Sequence, residues 1–271
     1  MQLRRWLEEH RAEDVWRARR DAEVVFSVTE DVRVGACMEA YNRYGIRNLL
    51  VQQQDRISWL RLEDVLRWYF HNSIDAVCSL VEMKTSKTCG LEDSISRLLE
   101  LWDDDWLDPI ILMDDLVAGV ITAADVLHYL YIYGYHLDCV MDLSATKLDW
   151  QSDPPLLPHN CRASECLQTL LAPTSSGVVG LVDRRGLLVG NVTLADFHSV
   201  QDELALPITV YLEDGTPPSL LTCSESLTCG DVLKKILQHQ AHHVWRLDSY
   251  ARPVGILHLH HIISFLKRHT L

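Results

Sequence analysis

The sequence contains no CxxC pair, no HExxH run, no Walker-type glycine loop, no nucleophile elbow and no dinucleotide fingerprint. An enzyme of recognisable type is therefore not expected. No apolar run approaches the roughly 18 residues that a membrane helix requires. The start, Met1-Gln-Leu-Arg-Arg, leads into a charged stretch rather than a secretory signal. We expect a protein that neither spans a membrane nor is exported, and that is cytoplasmic or also nuclear. The eight cysteines (Cys37, Cys78, Cys89, Cys139, Cys161, Cys166, Cys223 and Cys229) are scattered, which reads as reduced thiols. At 271 residues the chain buries ample core without such staples, and two domains of about 130 residues are the first expectation.

Positive charge is also scarce. A formal net charge of -13 repels a polyanion over most of the surface, which argues against nucleic acid as the main partner. The exception is the first twenty residues, where Arg4, Arg5, Arg11, Arg17, Arg19 and Arg20 alternate with Glu8, Glu9, Glu13 and Asp14 at spacings that suit helical ion pairs. This stretch reads as a solvated amphipathic helix with Leu3, Trp6, Leu7 and Val15 inward. A partner-docking arm is the alternative.

Aligned on itself, the chain repeats. Ile57-Ser-Trp-Leu-Arg-Leu-Glu-Asp-Val-Leu66, Ala118-Gly-Val-Ile-Thr-Ala-Ala-Asp-Val-Leu127 and Val189-Gly-Asn-Val-Thr-Leu-Ala-Asp-Phe-His198 are alike, and Val254-Gly-Ile-Leu-His-Leu-His-His-Ile-Ile263 keeps the same apolar pattern. Each is a short apolar strand running into a helix start. Upstream lie further strands at Asn48 to Gln52, Pro109 to Met113, Gly177 to Val182 and Val244 to Leu247. Turn segments such as Gln53 to Arg56, Asp183 to Gly186 and Asp248 to Pro253 make hairpins of them. Amphipathic helices precede the hairpins at Val32 to Tyr44, Leu91 to Trp102, Ala163 to Leu171 and Cys229 to Gln240. The predicted unit is helix, strand, strand, helix, repeated at about 22–72, 73–134, 135–203 and 204–271. A unit this small has a sheet face to cover, so neighbours are expected to pair, with a module division near Gly134. The two domains are then 1–134 and 135–271.

The pattern resembles the cystathionine-beta-synthase-type (CBS) repeat, whose ending reads Gly-Val-hydrophobic-Thr-x-x-Asp. Gly119 to Leu127 and Gly190 to Phe197 match best, and His242 to Leu257 resembles the fourth repeat of gamma subunits of AMP-activated protein kinases and related four-repeat proteins. The resemblance covers nearly all the chain after residue 22. It implies an α/β (α+β) fold of two tandem Bateman modules stacked as a disc. It further implies a non-catalytic regulatory subunit that binds AMP, ADP or ATP, with a kinase catalytic or scaffold subunit as partner. The other reading left open is a ligand-free scaffold that holds a phosphatase or kinase.

In such a site the Asp of Thr-x-x-Asp accepts hydrogen bonds from the ribose hydroxyls, for which an acceptor-only carboxylate suits a vicinal diol. That implies Thr122 with Asp125 and Thr193 with Asp196 as ligand residues. Asp64 is a third acid, although Arg61 takes its threonine position, and His258 with His261 replaces the pair in the fourth repeat. Phosphate would be reached by Arg47, His242 and His243, just ahead of a hairpin. The second repeat offers only Trp106-Leu-Asp-Pro109 there, and the third Thr174-Ser-Ser-Gly177. Helix capping alone also accounts for Thr-x-x-Asp. The histidines of the fourth repeat (His239, His242, His243, His258, His260, His261) lack metal-ligand spacing, so no metal is expected. Asp103-Asp104-Asp105 reads as a solvated helix end.

Overall fold

A computed structural model describes residues 2–19, 26–44, 46–53, 56–69, 75–102, 108–134, 138–172, 177–197, 202–212, 220–224 and 226–270. The readings of Arg20, Asp103 to Asp105, Trp106-Leu107 and Thr174 to Ser176 lie outside them. The chain opens with α1 (Gln2–Glu9) and α2 (Ala12–Arg17). The first repeat comprises β1 (Ser27–Val28), α3 (Val34–Tyr44), β2 (Asn48–Gln53), β3 (Arg56–Arg61) and α4 (Leu62–Tyr69), with β4 (Lys84–Thr85) added beside β3. The second comprises β5 (Thr88–Gly90), α5 (Ile95–Leu101), β6 (Ile110–Asp114), β7 (Leu116–Ile121) and α6 (Ala123–Tyr133), and α7 (Asp138–Met141) follows it. The third has β8 (Leu156–Pro158), α8 (Ala163–Leu171), β9 (Val178–Val182) and β10 (Leu188–Thr193), then α9 (Ile208–Tyr211). The fourth has β11 (Thr222–Cys223), α10 (Cys229–Gln238), β12 (His243–Leu247), β13 (Pro253–His258) and α11 (Leu259–Thr270).

Two expectations need correcting. Each repeat begins with a strand before its first helix: β1, β5, β8 and β11 pair parallel with the first hairpin strand of their own repeats. At two or three residues these strands are too short to show an alternating pattern. In the third repeat, Thr193 opens only a 3-10 turn over Leu194–Asp196 among the described residues, not a regular helix. The hairpin turns follow from their residues. Asp183 Oδ1 accepts from the N–H groups of Arg185 and Leu187, both at 2.8 Å, and Gly186 supplies the positive φ of 79°. Asp248 Oδ1 does the same for Tyr250 and Arg252 at 2.8 and 2.9 Å.

The strands present two apolar faces, and each face meets a different neighbour. Leu50 and Trp59 of the first sheet pack on Ile111 and Val120 of the second. Val178 and Leu188 of the third pack on Trp245 and Ile256 of the fourth. The helix-covered faces cross the other way. One core joins α3 and α4 of the first repeat to α8 of the third; another joins α5 and α6 of the second to α10 and α11 of the fourth. The four repeats thus close a ring, with sheet seams between first and second and between third and fourth, and helix seams between first and third and between second and fourth. Close approach at the sheet seam requires Gly180, where an added Cβ would lie 2.7 Å from the Trp245 ring.

The N-terminal helices pack on the second repeat. Trp6, Leu7 and Val15 are buried in its core, whereas Arg4–Glu8, Arg5–Glu9 and Arg17–Glu13 pair on the solvent side, as their four-residue spacing requires. Trp16 sits over Gly119, and Arg19 donates to the Val120 carbonyl at 2.6 Å. Among the described residues, no helix is long and apolar enough to cross a membrane.

Candidate functional site

Hairpin register gives every repeat three equivalent positions at the open end of its hairpin. The first precedes the leading hairpin strand and is held by Arg47, Asp108, Gly177 and His242 in repeats one to four. The second ends the hairpin and is held by Arg61, Thr122, Thr193 and His258. The third lies three residues further on, at Asp64, Asp125, Asp196 and His261.

The four versions differ in what their acceptor has left to offer. In the second repeat Thr122 donates to Asp125 Oδ2 through both its backbone N–H (2.8 Å) and its hydroxyl (2.7 Å), while Asp125 N–H returns to Thr122 Oγ1 at 3.2 Å. That is the capping box expected for a helix start, and it rests on one carboxylate oxygen. In the third repeat the Thr193 N–H and hydroxyl donate to Asp196 Oδ2 at 2.6 and 2.9 Å. Cap and ligand readings are therefore compatible, since the other oxygen of each acid takes no protein hydrogen bond among those described.

The first repeat is different. Arg61 Nε donates to Asp64 Oδ2 at 2.7 Å and Arg61 Nη2 to Asp64 Oδ1 at 2.8 Å, so one guanidinium engages both oxygens. Hydrogen bonding to Asp64 holds the Arg61 pKa above its ordinary value, against the cost of burial. Arg61 Nη1 also lies 3.8 Å from Oδ1 of Asp108, across the seam. In the fourth repeat His258 N–H donates to His261 Nδ1 at 3.2 Å. The imidazole replaces the carboxylate as cap acceptor, but offers no second acceptor on the same group.

Arg47, Asp196, His242 and His243 form one electrostatic group although they come from three repeats. Asp196 raises the Arg47 pKa against the larger lowering by burial, and Arg47 in turn lowers those of His242 and His243. Arg47 and His242 are both solvent-exposed, with neighbours close enough to lower their pKa values. Burial first, then Arg47, brings His242 down to about 4. Burial, then His242 and Arg47, brings His243 to about 4. Both imidazoles are neutral at pH 7. They serve there as hydrogen-bonding groups, and Arg47 supplies the cation of this group. Behind them His243 and His258 face each other across the hairpin with ring centroids 5.9 Å apart. No group of three or more metal-ligating side chains converges among the described residues.

Sequence reasoning named Arg47, Asp64, Thr122, Asp125, Thr193, Asp196, His242 and His243 as candidates but not how they group. It missed the Arg61 reach to Asp108, and it missed the capping box of Thr228 and Asp231 at α10. The latter was visible as Thr-x-x-Asp before an apolar-periodic run. Trp59 and Trp245, which fill the two sheet seams, carried no signal beyond being large residues in strands.

The family model of the CBS domain matches residues 216–268. No curated protein sequence matches the chain. Among solved structures, a protein of Methanocaldococcus jannaschii, described as a candidate archaeal homologue of g-AMPK, superimposes with a TM-score of 0.75 at 14% identity, over 94% of this chain and 99% of that one. An uncharacterised conserved protein of Pyrococcus horikoshii superimposes with a TM-score of 0.62 at 13% identity, again over 94% and 99%. No catalytic family is indicated. The fourth repeat is a CBS domain, and the whole chain has the fold of a tandem CBS-pair protein.

Proposed function

We propose that this chain is a non-catalytic regulatory protein that binds an adenine nucleotide in the crevice shared by Asp196, Thr193, Arg47, His242 and His243. The free carboxylate oxygen of Asp196 takes the ribose diol, and Arg47, with the two neutral imidazoles beside it, takes the phosphate. Asp125 with Thr122 offers a second ribose acceptor in the other module. The observation that carries the reading is the electrostatic grouping of Arg47 from the first repeat with Asp196 from the third and His242 and His243 from the fourth. A ligand held there touches both modules at once. Its binding free energy then favours one packing of the modules over others, which is the linkage a regulatory subunit needs.

The likeness to a candidate archaeal homologue of g-AMPK makes a protein-kinase catalytic or scaffold subunit the first partner to test. AMP, ADP and ATP are the first ligands to test, in a cytoplasmic setting where the thiols remain reduced. A second reading, a scaffold with no small ligand, draws on the spent acid Asp64 and on His258 and His261, which leave two of four repeats without a free carboxylate.

Thermal unfolding with AMP, ADP, ATP or none separates the two. A nucleotide at a hundredfold excess over its dissociation constant stabilises by about 2.7 kcal/mol. A melting temperature indifferent to all three, together with no nucleotide released on denaturing the purified protein, would leave the scaffold reading.

A further inference from the structure

The first repeat has every element of its neighbours, yet its acid is not available. Asp64 stands in register with Asp125 and Asp196, at the first turn of α4. What differs is Arg61, which replaces the threonine and returns its guanidinium onto Asp64 in a two-pronged pair at 2.7 and 2.8 Å. The side chains are closed in, at 15% and 14% exposure. The remaining terminal nitrogen faces Asp108 of the second repeat, itself 9% exposed, at 3.8 Å. A planar fork with two donors on one carboxylate and a positive charge toward a second occupies the place where the other repeats present a hydroxyl and a free oxygen.

We infer that Arg61 is a built-in occupant of the first-repeat crevice, a specificity-determining residue that keeps a complete but latent nucleoside site closed. The inference rests on the nucleotide reading for the ligand class, and refines it in one respect. Asp108 holds the position that Arg47 and His242 hold in the first and fourth repeats, so the crevice released from Arg61 presents a carboxylate where a phosphate would lie. Such a site favours the uncharged nucleoside over its monophosphate. Replacing Arg61 by the threonine that its sister repeats carry leaves one Asp64 oxygen to the cap and frees the other, with the hydroxyl restored beside it.

The test is equilibrium dialysis of radiolabelled adenosine and AMP against the full chain and its Arg61→Thr variant. Arg61→Thr is expected to gain one adenosine equivalent per chain over the unsubstituted protein. AMP should bind the new site roughly tenfold more weakly than adenosine, the scale of one screened like-charge contact. Adding Asp64→Ala is expected to abolish the gain. Because Arg61→Thr removes the cation that lies beside both Asp64 and Asp108, Arg61→Thr with Asp108→Asn is made in parallel. It removes one of the two negative charges, must also gain the adenosine equivalent, and loses the preference against AMP. A folded Arg61→Thr protein or double variant with unchanged stoichiometry overturns the inference even if the unsubstituted chain binds AMP. An unsubstituted chain that binds no AMP or adenosine, beside a variant that binds adenosine, sinks the nucleotide reading and upholds the inference.

Discussion

Thr193 and Asp196 meet through a single carboxylate oxygen: the backbone N–H and the hydroxyl of Thr193 both donate to Oδ2, at 2.6 and 2.9 Å. One residue pair thereby caps a turn and keeps an acceptor in reserve. Asp196→Asn is expected to separate the two tasks, because the amide oxygen still accepts from Thr193 while the amide nitrogen cannot accept from a diol. The nucleotide-induced rise in melting temperature should be lost, at a cost to the unliganded protein of about 1 kcal/mol or less, the scale of a cap. An Asp196→Asn protein that responds to AMP like the parent would remove Asp196 from the site.

Arg47 is expected to matter for phosphate alone. Arg47→Ala should weaken AMP binding by roughly 10- to 100-fold, the worth of a charge-assisted hydrogen bond, and leave adenosine binding unchanged. Isothermal titration with both ligands checks it, and equal losses for both would mean that Arg47 merely shapes the crevice.

His242 and His243 set a pH dependence with a definite sign. Both titrate near 4 in the folded chain, below the unperturbed histidine value of about 6.5. Between those two values the unfolded chain binds protons that the folded chain refuses, so stability rises with pH across this window and is lost on acidification from about 6.5 toward 4. His258 and His260, also lowered chiefly by burial, add to the same slope. Thermal unfolding from pH 7 to 4 should show the fall, and it should be shallower for the His242→Gln, His243→Gln protein. A phosphate beside these imidazoles favours their charged forms, so AMP binding is expected to make them take up protons just above pH 4, which calorimetry in buffers of different ionisation enthalpy detects.

The seam between the third and fourth sheets has no slack. Gly180→Ala would bring a methyl group to 2.7 Å from both the Trp245 ring and Leu156 Cδ2. Overpacking of this kind costs about 1–3 kcal/mol, and Trp245→Ala, which empties the same seam, about 3–5 kcal/mol. Urea unfolding measures both. If Gly180→Ala left stability unchanged, the close packing of these sheets would be wrong.

Much of this arrangement was legible in the sequence wherever the signal was local. The helix at Ala163–Leu171 matches its apolar spacing residue for residue, and the hairpins follow their Asp and Gly turns. The leading strands were not legible, because Ser27–Val28 or Thr222–Cys223 is too short to alternate. The site was half legible. Thr-x-x-Asp marks its acids, but a cap and a ribose acceptor demand the same residues, and only the bonds at Asp64 reveal which acid is spent. That Arg47 answers to Asp196 depends on ring closure between modules, which no local pattern carries.

The crossed cores bear on how the molecule is held together over time. Each half of the chain, severed at Gly134, would keep its sheet-to-sheet contacts but bare the helical flanks that now cover one another. The fragments are therefore expected to reassociate when mixed, or to couple with copies of themselves. Once both halves are made, each is expected to cover the apolar flank that the other would otherwise leave open to water.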